Sequence, residues 1–173
     1  MTGKQILERL RADKNLGGQL SVSDLGDEWA DFFVKDLSYE DHRIPADAVR
    51  TILAEIPALT RHKEIPFHFT TPRASFPWNA EAAEQAWTRL RFYLPEAKLT
   101  KLRVVAGGFS ERGEDPRDNA YTSVTAQVVQ SPFKVDLFLC NGRYEEYEAA
   151  LAWAKPFAKQ QGATLETDHM RFD

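Results

Sequence analysis

The chain has 173 residues, of which 43% are hydrophobic and 12% aromatic, so it can bury a core as one domain spanning 1–173. A mean hydropathy of -0.47 without a long apolar run excludes a membrane span. Charges at Lys4 and Glu8 interrupt the position where a secretory signal is apolar, and the single cysteine, Cys140, has no disulfide partner. We therefore expect a cytoplasmic protein that does not associate with membranes.

The net charge of -4 is unevenly distributed along the chain. Residues 1–60 and residues 110–173 each hold 7 Lys and Arg against 11 Asp and Glu, whereas residues 61–109 hold 8 against 4. A basic middle between acidic ends indicates either an anion-binding surface or segments that neutralise one another after folding. We favour neutralisation, because surface charges commonly pair without a functional role.

Three helices are predicted in a helical N-terminal subregion, 1–57. The first begins at Thr2, which has capping-box spacing to Gln5. The second begins at Ser23, and its apolar residues recur at helical spacing: Leu25, Trp29, Phe32, Phe33 and Leu37. The third follows Pro45 and ends at Pro57.

A proline-rich connection, 58–78, is expected to be extended. Within it, Ile65–Phe69 alternates like a short edge strand. Asn79 then caps a helix whose apolar stripe includes Trp87 and Leu90. This helix opens the third predicted subregion, the sheet core of 79–173.

The apolar period changes to two from Leu99 onward, which predicts three strands joined in an antiparallel meander over 101–140. A tight turn at Ser131-Pro132 separates the second strand from the third. A helix over 143–161 and a strand over 164–172 complete the chain. The residues predicted to be buried in the meander are Leu102, Val104, Val124, Ala126, Val128, Val135, Leu137 and Leu139.

The predicted fold class is α+β, with the element order ααα-β-α-β-β-β-α-β and no recognisable internal repeat. Strands that alternate apolar and polar residues are typical of an antiparallel sheet with one covered face. We therefore expect an antiparallel sheet with the helices packed on one face.

The residues that could carry metal or nucleic-acid chemistry lack the required spacing. The four histidines form no metal-ligand motif. The middle segment combines basic residues with Phe76 and Trp78, but no nucleic-acid-binding motif occurs and the isoelectric point is about 5.6. We expect no metal, no cofactor and no nucleic-acid partner.

Cys140 immediately precedes a turn and a helix N-terminus, a position that lowers the pKa of a thiol. It also alternates with predicted core positions and has no neighbouring base in the sequence. We therefore expect a structural thiol. The sequence predicts no catalytic residue.

The meander, helix and strand from Lys101 to Phe172 are similar in order to the central part of the GNAT-type N-acetyltransferases. The resemblance covers less than half of the chain. It implies an acyl-CoA pyrophosphate site at residues 140–144, although only Gly142 stands where that family has a glycine-rich loop.

Two functions from different classes follow from these observations. The first is a non-catalytic protein-protein interaction module, such as an inhibitor, an immunity-type protein or an adaptor, with Arg73, Trp78, Lys101 and Arg103 on one contact surface. Aromatic and arginine side chains are the usual anchors of such surfaces. The alternative is a small acyltransferase-like enzyme that binds an anionic or acyl-CoA ligand near Asn141-Gly142-Arg143.

Overall fold

Eight strands form one mixed sheet, and four α-helices accompany them, in the part of the chain that the computed structural model describes. The described residues are 2–13, 18–26, 28–34, 43–71, 77–108, 115 and 119–171. The α+β class predicted from the sequence is confirmed. Two features of the prediction are wrong: the order of the elements and the antiparallel character of the sheet.

The elements alternate between short helices and groups of strands. In chain order they are α1 (Gly3–Ala12), β1 (Leu20–Gly26), β2 (Trp29–Val34), β3 (Arg43–Pro45), α2 (Ala46–Leu59), β4 (Ile65–Thr70), α3 (Ala80–Tyr93), β5 (Lys98–Gly107), β6 (Tyr121–Gln130), β7 (Phe133–Arg143), α4 (Tyr147–Gln161) and β8 (Thr164–His169). A 3-10 turn, Tyr144–Glu146, joins β7 to α4.

The second predicted helix is wrong, because its residues form the hairpin β1–β2. Gly26 and Glu28 both have positive φ, +72° and +69°, which turns the chain back within a few residues. The helical spacing is coincidental: Phe32 is 0% exposed, whereas Trp29 and Phe33 are 46% and 45% exposed. Phe32 and Phe33 therefore lie on opposite faces of a strand. Leu37, also assigned to that helix, lies outside the described residues.

The sheet is mixed, with the strand order β3-β2-β1-β4-β7-β6-β5-β8. The pairs β1–β4, β4–β7 and β5–β8 are parallel, and the other neighbours are antiparallel. The predicted meander is confirmed as β5–β6–β7, and all eight of its predicted core residues are buried. Alternation reports only that one face is covered, so it does not distinguish parallel from antiparallel neighbours.

The chain contains the same succession of elements twice. The first half reads α1-β1-β2-β3-α2-β4, and the second reads α3-β5-β6-β7-α4-β8. Each half arranges its strands in the corresponding order, β3-β2-β1-β4 and β7-β6-β5-β8, and the pairing of β4 with β7 joins them. The internal repeat that the sequence does not display is therefore present in the topology.

The pairing register places the buried apolar residues of neighbouring strands on one face. Phe67 lies opposite Leu20 on β1 and Val135 on β7, and all three are buried. The next position along, His68, lies opposite Ser21 and is exposed. Buried residues of the four described helices belong to the same core as the inward strand residues. The four described helices therefore cover one face of the sheet, which we call the helix layer side. They do not cover the opposite face, which we call the open face.

The lengths and compositions of the helices also bear on membrane association. Among the described residues, no helix combines the length and the apolar character that crossing a bilayer requires.

The hairpin predicts that substitutions at two adjacent phenylalanines lower the free energy of unfolding by very different amounts. Phe32→Ala should lower the free energy of unfolding by about 3–5 kcal/mol, because it empties a core position. Phe33→Ala should lower it by less than about 1 kcal/mol, because its side chain lies on the open face. Urea denaturation of both variants measures the difference. Equal losses would indicate that the two rings share one apolar stripe, as in a helix.

Candidate functional site

Lys101 and Arg103 lie side by side on the open face, as their alternation in the sequence predicts. Both approach Glu166 on the neighbouring strand β8: Lys101 Nζ is 3.2 Å from one carboxylate oxygen, and Arg103 Nε is 3.2 Å from the other. The hydrogen bond and charge of Lys101, together with the charge of Arg103, hold the pKa of Glu166 below its usual value. The two cations therefore share one ionised carboxylate.

A shallow depression of about 280 Å³ lies beside this pair, near the middle of the open face. It sits next to the irregularity in the β6–β7 pairing between Val124 and Thr125. The side chains around it come from four strands: His68, Lys101, Arg103, Thr125, Gln127, Asp136 and Phe138. This arrangement offers one half-buried ring, Phe138, surrounded by charges of both signs.

Trp78 lies on the helix layer side, away from Lys101 and Arg103. Its ring centroid is 5.5 Å from that of Trp153 on α4, and its backbone passes close to Gly142 on β7. Arg73, the fourth residue proposed for the contact surface, lies outside the described residues. Of the proposed set, the structure brings together Lys101 and Arg103. Whether they bind a partner stays a prediction.

The expected turn at Asn141-Gly142-Arg143 is wrong, because these residues form the end of β7 and pair with β6. A carboxylate of the chain itself already binds beside them. One carboxylate oxygen of Glu146 accepts a hydrogen bond from the Arg143 backbone N–H at 2.7 Å, and the other accepts one from the Trp78 N–H at 3.1 Å. A side chain added at Gly142 would meet Trp78 at 2.9 Å. Trp78 therefore covers the surface where an acyl-CoA pyrophosphate was expected. Glu146 occupies two of the backbone N–H groups there.

Cys140 is a buried thiol of the core. Burial raises its pKa, and the charge of Glu146 acts in the same direction, while a backbone hydrogen bond from Asn79 partly opposes them. Because Cys140 lies inside β7 and not at a helix N-terminus, the lowered pKa that such a position would favour does not occur. Its side chain is fully packed, and its structural role stays a prediction.

A buried carboxylate joins β1 to α3. Asp24 is 2% exposed. The Arg89 guanidinium donates to both of its oxygens, from Nε at 2.8 Å and from Nη2 at 3.0 Å, and the Tyr93 hydroxyl donates to one of them at 2.6 Å. Asp24 is thus removed from water but fully bonded, in the forked geometry that arginine provides.

The surroundings of this network hold Tyr93 and Arg89 in their protonated forms. Burial, and then the hydrogen bond to Asp24, raise the pKa of Tyr93 well above its usual value, so the phenol keeps its proton. The hydrogen bond to Asp24 raises the pKa of Arg89. Its guanidinium carbon also lies 4.7 Å from the ring centroid of Phe92, whose ring is contacted by Arg50 at 5.2 Å as well. Arg89 is consequently both charged and rigidly oriented.

Arg89 and Asp24 line a cleft of about 710 Å³ on the helix layer side. The cleft lies beyond the carboxyl ends of the parallel strands β1 and β4, between α3 and the start of α2. The sequence contained one signal for it. In the inward series Leu20, Val22, Asp24, a carboxylate occupies a core position, and this becomes visible only when the segment is read as a strand.

No metal centre is evident in the part of the chain that the structure describes, where His, Cys, Asp and Glu form no group of three able to hold an ion. Comparison with protein-family models, with curated proteins and with solved structures gives no match for this chain. The function is therefore inferred from the geometry alone.

The packing of Trp78 predicts a role in stability. Trp78→Ala should lower the free energy of unfolding by about 2–3 kcal/mol, because a half-buried ring is lost from its contact with Trp153. Trp78→Phe should recover much of that loss. Arg103→Glu, on the exposed open face, serves as the control and should leave the thermal midpoint nearly unchanged. A Trp78→Ala protein as stable as the wild type would contradict this packing role.

Tyr93→Phe should cost about 1–2 kcal/mol near neutral pH, because the buried Asp24 loses one of its donors. A folded-state pKa raised above the unfolded value stabilises the protein fully below about pH 10 and progressively less above it. The difference in unfolding free energy between wild type and variant should therefore shrink as pH rises from about 9 to about 11. Chemical denaturation at each pH measures this difference, and a constant gap would contradict the raised pKa.

Proposed function

We propose that this protein is a non-catalytic protein-binding module whose open face docks onto a folded partner protein. One observation carries the proposal: all eight strands contribute to a face that the four described helices leave uncovered. Four of the seven neighbouring strand pairs are antiparallel, and sheets of this kind commonly leave one face to solvent. Such a face is available to an external surface.

The size of the open face suits a protein partner. Eight strands spaced about 4.8 Å apart, over about six residues each, span roughly 34 Å by 20 Å, or about 700 Å². A standard protein-protein interface buries about 800 Å² on each partner. A small ligand would engage only a fraction of this area.

The side chains on the open face are of the kinds that anchor interfaces. Trp29 and Phe33 are exposed on β2, towards one end of the sheet, and Arg103 lies near the other end beside Lys101. Tryptophan and arginine are enriched among the residues that dominate binding energies. Between these groups, the depression around Phe138 could receive an apolar side chain of the partner.

The charges of the open face favour a partner with charges of both signs. Asp31 pairs with Arg43 at 3.6 Å on one side, and Glu166 pairs with Lys101 and Arg103 on the other. These pairs are exposed, so a partner carboxylate near Arg103 can compete with Glu166 at little cost in desolvation. Charges arranged in this way contribute mainly to the choice of partner and to the association rate.

The acyltransferase-like alternative finds no comparable support. Glu146 accepts hydrogen bonds from the backbone N–H groups of Trp78 and Arg143, so a pyrophosphate at the end of β7 would have to compete with this carboxylate for them. We therefore keep the proposal to protein binding, with inhibitor, immunity-type protein and adaptor as the roles that it could serve.

The proposal predicts that the two ends of the open face act together. Trp29→Ala and Arg103→Glu should each weaken retention of the partner on the immobilised protein by about tenfold or more, since each removes an anchor. Lys155→Glu, a charge reversal on exposed α4, is the matched control and should retain the partner normally. Thermal midpoints of all three variants should stay close to that of the wild type.

Quantitative mass spectrometry of proteins retained from the native host measures the result. The informative proteins are those held by the wild type and by Lys155→Glu but released by both open-face variants. If every retained protein binds all four forms equally, the open face is not the interface and the proposal is wrong.

A further inference from the structure

The cleft behind the sheet has the position of a ligand site, and nothing in the protein-binding proposal uses it. After β1, the chain continues to β2, which is the neighbour of β1 on one side. After β4, it continues in the other direction to α3, which packs on β7. The carboxyl ends of these two parallel strands therefore diverge, and crevices at such points are where open α/β sheets bind ligands. The volume of about 710 Å³ falls within the range of small-ligand pockets.

The floor of the cleft presents a fixed cation. A guanidinium has five N–H bonds, and the fork to Asp24 uses two of those on Arg89. That carboxylate does not use the remaining N–H bonds, and the Arg89 side chain, which also interacts with the Tyr93 hydroxyl, is 36% exposed where it lines the cleft. Because Asp24 and Phe92 hold the group in place, a ligand carboxylate would meet donors that need little reorganisation.

The rim of the cleft presents two carboxylates. Glu28 and Asp47 both line it and are exposed. The backbone N–H of Ala46 donates to the carbonyl oxygen of Glu28 at 2.8 Å. This bond holds the β1–β2 turn against the start of α2, so Glu28 lies close to Asp47. Glu28 also has φ +69°, a conformation that non-glycine residues rarely adopt and that recurs at ligand sites.

This arrangement of charges discriminates among ligand classes. Asp24 and Arg89 neutralise each other, so Glu28 and Asp47 give the lining residues a net negative charge that opposes a simple anion. A simple cation would leave the donors of Arg89 without an acceptor. A ligand that carries a carboxylate at one end and an ammonium group at the other satisfies both parts of the wall.

We propose that the cleft binds a zwitterionic short peptide, with its terminal carboxylate on Arg89 and its terminal ammonium group beside Glu28 and Asp47. The hydroxyl groups of Thr71 and Thr88, which also line the cleft, are available to the peptide amides. Leu25 and Phe92 supply apolar wall for the peptide side chains.

Isothermal titration of the full chain with trialanine and trileucine tests the proposal. Binding of at least one peptide is expected, and N-acetylation or C-terminal amidation of that peptide should each weaken it by about tenfold or more, because each removes one charged end. Free leucine should bind more weakly than trileucine, because it spans less of the cleft. No binding by either peptide, or equal binding of the blocked forms, would overturn the proposal.

Variants then assign the two ends of the ligand. The double variant Glu28→Gln, Asp47→Asn should weaken binding of the unmodified peptide. It should leave binding of the N-acetylated peptide unchanged, because that peptide has no ammonium group for the two carboxylates to hold. Arg89→Lys should weaken the unmodified peptide but not the amide. Lysine keeps a cation beside Asp24 but loses the forked pair of hydrogen bonds, so the blocked peptides test the same contact without any substitution.

Glu148→Gln on exposed α4 is the matched control and should bind both peptides like the wild type. If the double variant weakens acetylated and free peptides equally, the carboxylates do not recognise an ammonium group and the assignment is wrong. The open-face variant Trp29→Ala should bind the peptide normally, so failure of this proposal is distinguishable from failure of the protein-binding proposal.

Discussion

A carboxylate placed in an apolar interior is costly unless it is paired and hydrogen-bonded, and Asp24 meets this condition only when the two halves of the chain are assembled. Asp24 belongs to β1 in the first half, whereas its donors, Arg89 and Tyr93, belong to α3 in the second. The interaction fixes α3 over the end of β1. It also sets the position of Arg89 at the floor of the cleft, so the cleft depends on the bond that joins the halves.

The repeated element order explains why the sheet is wide and why the four described helices all lie on one of its faces. Each half places its two helices on the same side of a four-stranded unit, and the pairing of β4 with β7 continues the sheet without changing sides. Helices and the crevice at diverging parallel strands therefore share one side, and the opposite side remains a broad polar face with a few aromatic residues. The two proposed activities occupy separate surfaces of one sheet.

The elements that the sequence predicted well are those governed by local periodicity. Alternation placed every predicted core residue of the meander on the covered face and Lys101 with Arg103 on the open one. The second helix failed because Trp29 and Phe33, four residues apart, imitate a helical stripe although both are exposed. Trp78 could not be placed, since its neighbours Trp153 and Gly142 are distant in sequence.

The sequence by itself determined the α+β class and the second-half helices and meander, because side-chain periodicity, caps and turns act over a few residues. Only the tertiary structure decided the parallel pairs, the duplication, the Asp24 network and the packing of Trp78 against Gly142 at the end of β7. These depend on contacts between residues far apart in the chain. No local pattern encodes which strand becomes a neighbour, since β1, β4 and β7 alternate in the same way whatever their order.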